Sequence, residues 1–329
     1  SVTTGDIEYY QSPNGFDPPL SSLVYTNGVY MGLINTADQI SFYRFDDSLQ
    51  VEQPTETGSR YFAQTEFDAK LRLNAKSVVA PTSYGIMGID LNFGEAGGKQ
   101  VQRPFVFAAD TSVAVRMAKI IDTVNYSRNN TLKLAVDQLD RFYISGTAAA
   151  NDGSAFGRTT SVNVVGHEAD ASIRFVTQFR LDDGNFPEVE RLDLNSNETE
   201  LLVSGNYREG LFLVNQKRGF FARISLIDGT ILEIKTYDPQ TLGYDTTADI
   251  DSYQALFNAD DHVVFTLFIS KRDAFYLQEY DLRIIQLDAE SSITTNKLVY
   301  EIKGVTSSFL NFTKIGTAMY LSGQTRSLS

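Results

Sequence analysis

The chain has 329 residues, of which 42% are hydrophobic and 12% aromatic, so it holds enough apolar material for a large core. Its net charge of −13 excludes nucleic acid and anionic membrane surfaces as its main partners. The lack of cysteine excludes disulfides and thiolate chemistry. No apolar run approaches the roughly 20 residues of a transmembrane helix, so no membrane span is predicted.

Residues 1–20 form the first predicted segment, an extended N-terminal lead-in. They show no regular apolar pattern and end in a Pro-Pro pair, which is typical of extended chain. Because Ser1 stands where Met would begin a protein, we also expect that a leader or an upstream region precedes this segment.

The clearest element lies from Gly219 to Asp238. Apolar residues alternate on one side from Phe220 to Leu226, Asp228-Gly229 follows, and alternation then resumes. An Asp-Gly pair tolerates positive φ angles, so this pattern predicts a β-hairpin with a two-residue turn.

Degraded copies of this hairpin recur along the chain, with an average period of about 60 residues. The predicted turn aspartates are Asp46, Asp122, Asp182, Asp228 and Asp288. A second motif, a short apolar strand that closes on glycine, keeps the same period. Its glycines are Gly32, Gly88, Gly146, Gly205 and Gly323. The copy missing from this series falls in residues 262–270, where the strand persists without its glycine.

Each period contains about four predicted strands, which is one blade of a β-propeller. The fold class is therefore all-β, a propeller of four-stranded antiparallel blades with five full blades and the start of a sixth. The predicted blades are 21–66, 67–125, 126–194, 195–246, 247–304 and a partial 305–329.

The arrangement "strand-SG, loop, GFFARISLIDGTILEIKTY" resembles the bacterial propeller repeat known as SBBP, and more loosely the quinoprotein-like and Kelch propellers. The resemblance is sharp over residues 143–186 and 202–237. It implies a fold and leaves the function open, because propellers carry many unrelated functions. A quinone cofactor would stack on tryptophan, which this chain lacks, so no cofactor is predicted.

The sixth unit lacks its hairpin, so the ring is expected to be incomplete. The missing strands could come from residues 1–20, from chain beyond Ser329 or from another subunit, and we favour a longer polypeptide. The edge of the strand Met319–Gly323 would then recruit a further strand.

The connections between the second and third predicted strands vary in length, and function tends to lie on such loops. They share one rim with the crossovers between blades, so this rim is the candidate binding face; simple loop drift is the alternative explanation. Its candidate residues are Asn92, Glu95, Lys99, Arg103, Asp152, Arg158, His167 and Tyr244.

Asp245, Asp249 and Asp251 could supply oxygen ligands for calcium, although a solvated acidic loop is the favoured interpretation. Four sequons are glycosylation candidates, at Asn125, Asn129, Asn197 and Asn311. The two histidines have no partner at zinc-site spacing.

These observations favour a non-enzymatic structural or binding module, on a cell surface or in an extracellular assembly. Its partners would be proteins, neighbouring subunits or glycans. One alternative is a glycan-processing or calcium-assisted hydrolase, which acids and arginines along a central channel would favour. Another is an intracellular interaction hub of the Kelch or WD type, which glycosylation would eliminate.

Overall fold

The computed structural model describes residues 22–36, 39–46, 60–62, 72–73, 78–96, 99–121, 132–147, 161–181, 184–209, 216–245, 248–272, 278–303, 305–315 and 318–327. The fold is all-β and built of antiparallel sheets, most of them four-stranded, which confirms the predicted class. The chain divides into two compact units, residues 1–122 and 123–329, where one continuous array was predicted. Among the described residues, no helix has the length and apolarity that a membrane span requires.

Among its described residues, the first unit contains two sheets. Sheet 1 consists of β1 (Ser22–Thr26), β2 (Val29–Thr36), β3 (Gln39–Phe45) and β4 (Arg60–Phe62) in that order. Sheet 2 consists of β5 (Arg72–Leu73), β6 (Val78–Pro81), β7 (Gly85–Ala96), β8 (Lys99–Asp110) and β9 (Val115–Ile120). Both β5 and β6 pair with β7, so together they take the position of a first strand.

The described part of the second unit contains four sheets, and their strands also follow chain order. Sheet 3 consists of β10 (Lys133–Val136), β11 (Phe142–Thr147), β12 (Ser161–His167) and β13 (Ile173–Arg180). Sheet 4 consists of β14 (Gly184–Leu194), β15 (Glu200–Glu209), β16 (Gln216–Ser225) and β17 (Ile231–Tyr237). Sheet 5 consists of β18 (Asp249–Phe257), β19 (Val263–Arg272), β20 (Gln278–Leu287) and β21 (Ile293–Lys303). In sheet 6, β22 (Val305–Ile315) pairs with β23 (Ala318–Ser327).

The glycine motif marks the same position in each sheet that carries it. Gly32, Gly88, Gly146, Gly205 and Gly323 all lie in the second strand of their sheets. A Cβ on Gly205 would stand 1.9 Å from the carbonyl oxygen of Glu188, so only glycine fits there. The copy without glycine, within residues 262–270, is β19, the second strand of sheet 5. The sequence periodicity therefore identified real equivalent strands.

Because each sheet is an antiparallel meander, its connections fall at two ends. We call the end with the first-to-second and third-to-fourth connections the turn end. The opposite end, with the second-to-third connections and the crossovers to the next sheet, is the loop end.

Six connections at the turn ends share one geometry. In each, the carbonyl of the opening residue accepts a hydrogen bond from the N–H three residues later, at 2.8–3.2 Å. That later residue has a positive φ between 52° and 69°. The opening residues are Asp110, Asp137, Glu168, Asn195, Asn258 and Asp288. In five of the six, the opening side chain also accepts backbone N–H groups of its own turn, as turn-forming Asp and Asn do.

This geometry corrects several predicted hairpins. The connection after β13 contains Asp182, which lies outside the described residues, and it leads into sheet 4, so no hairpin forms there. Residues 184–194 therefore belong to sheet 4 and not to the third predicted blade. The turn between β12 and β13 opens at Glu168 instead. Asp122, also outside the described residues, follows β9, and the sheet 2 turn opens at Asp110.

The hairpin at Asp228 is real but longer than predicted. It joins β16 to β17 through residues 226–230, and the N–H of Gly229 bonds to the carbonyl of Ser225 at 2.9 Å. Only Gly229 has a positive φ, of 78°, whereas the two-residue turn required one at Asp228 as well.

Aromatic side chains fill the spaces between successive sheets of the second unit. Phe179 of sheet 3 meets Phe220 of sheet 4 edge-on, with ring centroids 6.3 Å apart. Tyr237 packs against Tyr253 and Phe265 of sheet 5, with ring centroids 6.0 and 4.6 Å apart. Full burial of one such ring contributes about 1.5–3 kcal/mol, so these layers hold the sheets in their stack.

Candidate functional site

Part of the predicted binding face is not a loop. Asn92 and Glu95 lie in β7, and Lys99 and Arg103 lie in β8. The two strands pair as far as Ala96 and Lys99, so the connection between them is only residues 97–98. The elaborated loop predicted there is therefore a long hairpin. Asp152 and Arg158 lie outside the described residues.

His167 also lies in a strand and not in the predicted loop. It ends β12 next to the turn end of sheet 3, it is fully buried, and its ring stacks on Phe142 with centroids 4.6 Å apart. Burial lowers the pKa of His167 to about 4, although the backbone of Ala171 opposes part of this shift. It is a core residue on the side opposite the candidate face.

The three calcium candidates do not converge. Asp249 accepts the backbone N–H of Lys217 at 2.9 Å, and Asp251 pairs with the Lys217 ammonium at 3.3 Å. Asp245 lies in the crossover that precedes β18. Within the described part of the chain, no three acidic or histidine side chains gather as metal ligands.

Tyr244 does enter a polar cluster at the loop end of sheet 5. Its hydroxyl donates to Asp281 at 2.6 Å and accepts from the guanidinium of Arg283 at 2.5 Å. The Lys271 ammonium donates to the same Asp281 oxygen at 3.3 Å. Lys271 and Arg283 also stand 5.9 and 5.2 Å from the centre of the Tyr244 ring, within cation–π range. We call Tyr244, Lys271, Asp281 and Arg283 the Tyr244 cluster.

The crossover from sheet 4 fixes Tyr244 in this position. A 3₁₀ helix at Pro239–Leu242 begins under the Asp238 carboxylate, which accepts the N–H of Gln240 at 2.8 Å. It ends at Gly243, whose φ of 89° reverses the chain, and the N–H of Tyr244 bonds back to Pro239 at 3.2 Å. Backbone groups at both helix ends thus have hydrogen-bond partners, so an ordered backbone holds Tyr244 in place.

One carboxylate oxygen of the cluster is buried. Asp281 is 3% exposed, and its Oδ1 has no hydrogen-bond partner within the described part of the chain, while Oδ2 accepts from Tyr244 and Lys271. Burial, followed by the hydrogen bond to Asp281, raises the pKa of Tyr244 to about 12, so the phenol stays protonated and keeps donating. With Lys271 and Arg283 both charged, the cluster carries a net positive charge on an acidic protein.

Sequence reasoning selected Tyr244 and missed its three partners. Asp281 and Arg283 lie on the same face of β20 as Ile285 and Leu287, because residues two apart in a strand share a face. Ile285 and Leu287 are fully buried. Two polar residues in a row that otherwise faces the core were therefore the sequence signal that could have identified the cluster.

A second polar cluster lies on the first strands of sheets 3, 4 and 6. The Arg191 guanidinium donates to the carbonyl of Phe312, and the Lys314 ammonium lies 3.8 Å from the Asp193 carboxylate. Burial raises the pKa of Asp193 and lowers that of Arg191. It also lowers the pKa of Lys133, where the charge of Glu190 opposes the shift. Acids and an arginine thus stand together on first strands of their sheets; the hydrolase alternative calls for acids and arginines of this kind.

The sequons fall in different settings. Asn197 is exposed within the turn between β14 and β15, and Asn311 lies in β22. Asn125 and Asn129 lie outside the described residues.

No protein-family model matches the chain, and no curated protein is significantly similar to it. Several solved structures resemble it at low identity. Puromycin hydrolase has a TM-score of 0.44 at 13% identity, over 92% of this chain and 50% of that one. An ACO/RPE65 chimera has a TM-score of 0.47 at 10% identity, over 92% of this chain and 65% of that one. The GH43 β-1,3-galactosidase solved with galactodeoxynojirimycin has a TM-score of 0.38 at 11% identity, over 82% of this chain and 91% of that one.

The chain thus spans half of puromycin hydrolase and about two thirds of the chimera. These neighbours are propeller-like folds, and no family model supports the SBBP resemblance. They correct one expectation. The prediction of a chain without enzymatic activity is contradicted, because the solved structures that resemble the chain include enzymes.

Proposed function

We propose that the chain is a β-propeller module that binds a protein partner at the loop end of its sheets, with Tyr244 and Arg283 as anchors. The propeller rests on the repeated four-stranded meander. It also rests on the turn ends of sheets 3, 4 and 5, which hydrogen-bond side by side. The N–H of Gln138 donates to Glu198 at 3.0 Å, and the N–H of Ser196 donates to Asp261 at 2.7 Å. A radial stack of blades has this neighbour-to-neighbour contact.

The observation that carries the binding site is the Tyr244 hydroxyl held between Asp281 and Arg283, at 2.6 and 2.5 Å. Tyrosine and arginine dominate the energetic centres of protein interfaces, and both lose less entropy on binding when they are held in advance. Six connections at the opposite ends share one turn geometry, whereas the connections at the loop ends differ in length from sheet to sheet. An acidic segment of the partner would complement Lys271 and Arg283.

The test replaces Tyr244 and Arg283 separately with alanine in the 329-residue chain. A partner captured from the native source should bind each variant about thirtyfold more weakly, the loss expected of an interface hot spot. Ile227→Ala is the matched control, because Ile227 is 79% exposed at the turn end of sheet 4. Unchanged binding by both cluster variants, or a loss confined to Ile227→Ala, would refute the proposed face.

The second polar cluster, on the first strands of sheets 3, 4 and 6, favours a second candidate, a glycan-processing hydrolase with Glu190 and Asp193 as its acids. A general acid needs a raised pKa, and burial raises that of Asp193. Purified chain would be assayed on a panel of nitrophenyl glycosides beside Glu190→Gln and Asp193→Asn. Activity lost in both variants but kept in Tyr244→Ala supports this candidate. Activity that survives in both, or no cleavage by the unmodified chain, counts against it.

A further inference from the structure

The outer edge of sheet 4 exposes apolar side chains. β17 closes the sheet and pairs only with β16 among the described residues. Leu232 is 50% exposed and Ile234 is 37% exposed on this strand, and Ile227 extends the apolar surface into the adjoining turn. Such an edge offers unpaired backbone groups together with apolar side chains, the combination that recruits another strand.

Three other outer strands in the chain carry features that discourage edge pairing. β9 exposes Arg116 and Lys119, and charged side chains discourage edge pairing. β4 spans only three residues. β21 pairs with its neighbour through two register shifts, which bend an edge away from a flat partner. β17 has one register shift, between Arg223 and Ile224 with Leu232 as the extra residue, and it keeps regular pairing from Gly219 opposite Tyr237 to Arg223 opposite Glu233.

We propose that this edge is a homodimer interface, in which β17 pairs antiparallel with β17 of a second copy about a two-fold axis at Ile234. The sequence Ile231-Leu232-Glu233-Ile234-Lys235-Thr236-Tyr237 is self-complementary in that register. Ile234 lies opposite Ile234 of the second copy, and Leu232 lies opposite Thr236. Glu233 lies opposite Lys235, twice by symmetry.

Charge selects this register over its neighbours. A two-fold axis at Glu233 would place two glutamates opposite each other, and one at Lys235 would place two lysines opposite each other. Like charges directly opposite destabilise a strand pair, whereas opposite charges contribute. Glu233 and Lys235 lie 3.6 Å apart on the same strand and both contact Ser291 of sheet 5. Their side chains remain 23% and 34% exposed, and that part can meet a second copy.

The lack of cysteine makes the register directly measurable. Opposite residues in an antiparallel pair have Cα atoms about 4.5–5.5 Å apart, within the roughly 4.4–6.8 Å that a disulfide spans. Ile234→Cys should therefore form a disulfide-linked dimer on mild oxidation. Leu232→Cys and Thr236→Cys should each stay monomeric alone and cross-link when mixed. Ile293→Cys is the control, because Ile293 is 48% exposed on the outer strand of sheet 5.

Sedimentation of the unmodified chain gives an independent reading. We expect a concentration-dependent dimer that Ile234→Lys converts to monomer, while Ile293→Lys does not. A chain that remains monomeric, or a dimer in which Ile234→Cys cross-links no faster than Ile293→Cys, overturns the proposal. Loss of partner binding in Tyr244→Ala tests a different surface and leaves the dimer unaffected.

Discussion

The carboxylate of Asp193 on β14 accepts a hydrogen bond from the backbone N–H of Phe257 on β18, at 2.8 Å. Two other backbone N–H groups of β18 donate to side chains of sheet 4: that of Tyr253 to the Glu190 carboxylate at 3.3 Å, and that of Ala255 to the Ser204 hydroxyl at 2.9 Å. β18 is the first strand of sheet 5, so every second N–H faces away from the sheet. Sheet 4 supplies side-chain acceptors to those groups, which removes the cost of leaving them buried and unpaired.

Ser204→Ala should destabilise the fold by about 1–3 kcal/mol, because it leaves the buried N–H of Ala255 without an acceptor. Ser145→Ala is the matched control. Ser145 is equally buried, but its hydroxyl donates to the carbonyl of Asn163 within its own sheet, at 3.0 Å. The free energy of unfolding in urea measures both. Equal losses would mean that the contact between sheets contributes nothing of its own.

Stability should fall as the pH is lowered from about 6.5 to about 4, because of His167. Its folded pKa lies below its unfolded value, so the unfolded chain takes up the proton first and unfolding becomes favourable. The full shift corresponds to about 3 kcal/mol. Replacing His167 by Phe should keep the stack on Phe142 and flatten this pH dependence.

Urea unfolding at pH 6.5 and pH 5 provides the measurement, since most carboxylates titrate lower. His262→Gln, which removes the other histidine, should keep the slope of the unmodified chain. The prediction is contradicted if the pH dependence of stability disappears in His262→Gln and persists in His167→Phe.

Calcium should leave the melting temperature of the chain unchanged. Among the described residues, Asp249 and Asp251 are engaged by Lys217, and a calcium site needs about six to eight oxygens. Differential scanning fluorimetry with and without millimolar calcium measures this. An upward shift of several degrees that Asp249→Ala abolishes, and Asp260→Ala does not, would establish a site in this loop.

Much of the fold was predictable because strands and glycines follow local rules. The strand patterns and the glycine positions at Gly88 and Gly205 depend on alternation and close contact, which leave a direct trace in sequence. The grouping of the strands into sheets leaves no such trace. The residues around Asp182 combine a turn signal with flanking apolar residues, yet β13 and β14 join different sheets. Turn chemistry predicts a reversal of the chain and says nothing about which strands then pair.

The true turns left a weak signal for a physical reason. Val113 and Ala171 take the positive φ in their turns, at 59° and 69°, and neither residue type favours that region. The candidate site was predictable only at Tyr244. Lys271, Asp281 and Arg283 reach it from strands about 30–40 residues further along, and only tertiary packing brings them together.

Gly229→Ala should be one of the most damaging single substitutions at the turn ends. Gly229 has a φ of 78°, and an added Cβ would stand 2.6 Å from the Phe175 ring and 2.7 Å from the Thr177 hydroxyl oxygen. That hydroxyl donates to the Gly229 carbonyl at 2.6 Å, so the methyl group would also disturb a contact between sheets 3 and 4. Gly243→Ala is the control, with a φ of 89° and no atom within 4 Å of the new Cβ. Both variants pay the strain of a left-handed alanine, about 1–2 kcal/mol, and only Gly229→Ala adds about 1–3 kcal/mol of overpacking. Urea denaturation of both variants gives the difference, and equal losses would mean that the turn does not pack against sheet 3.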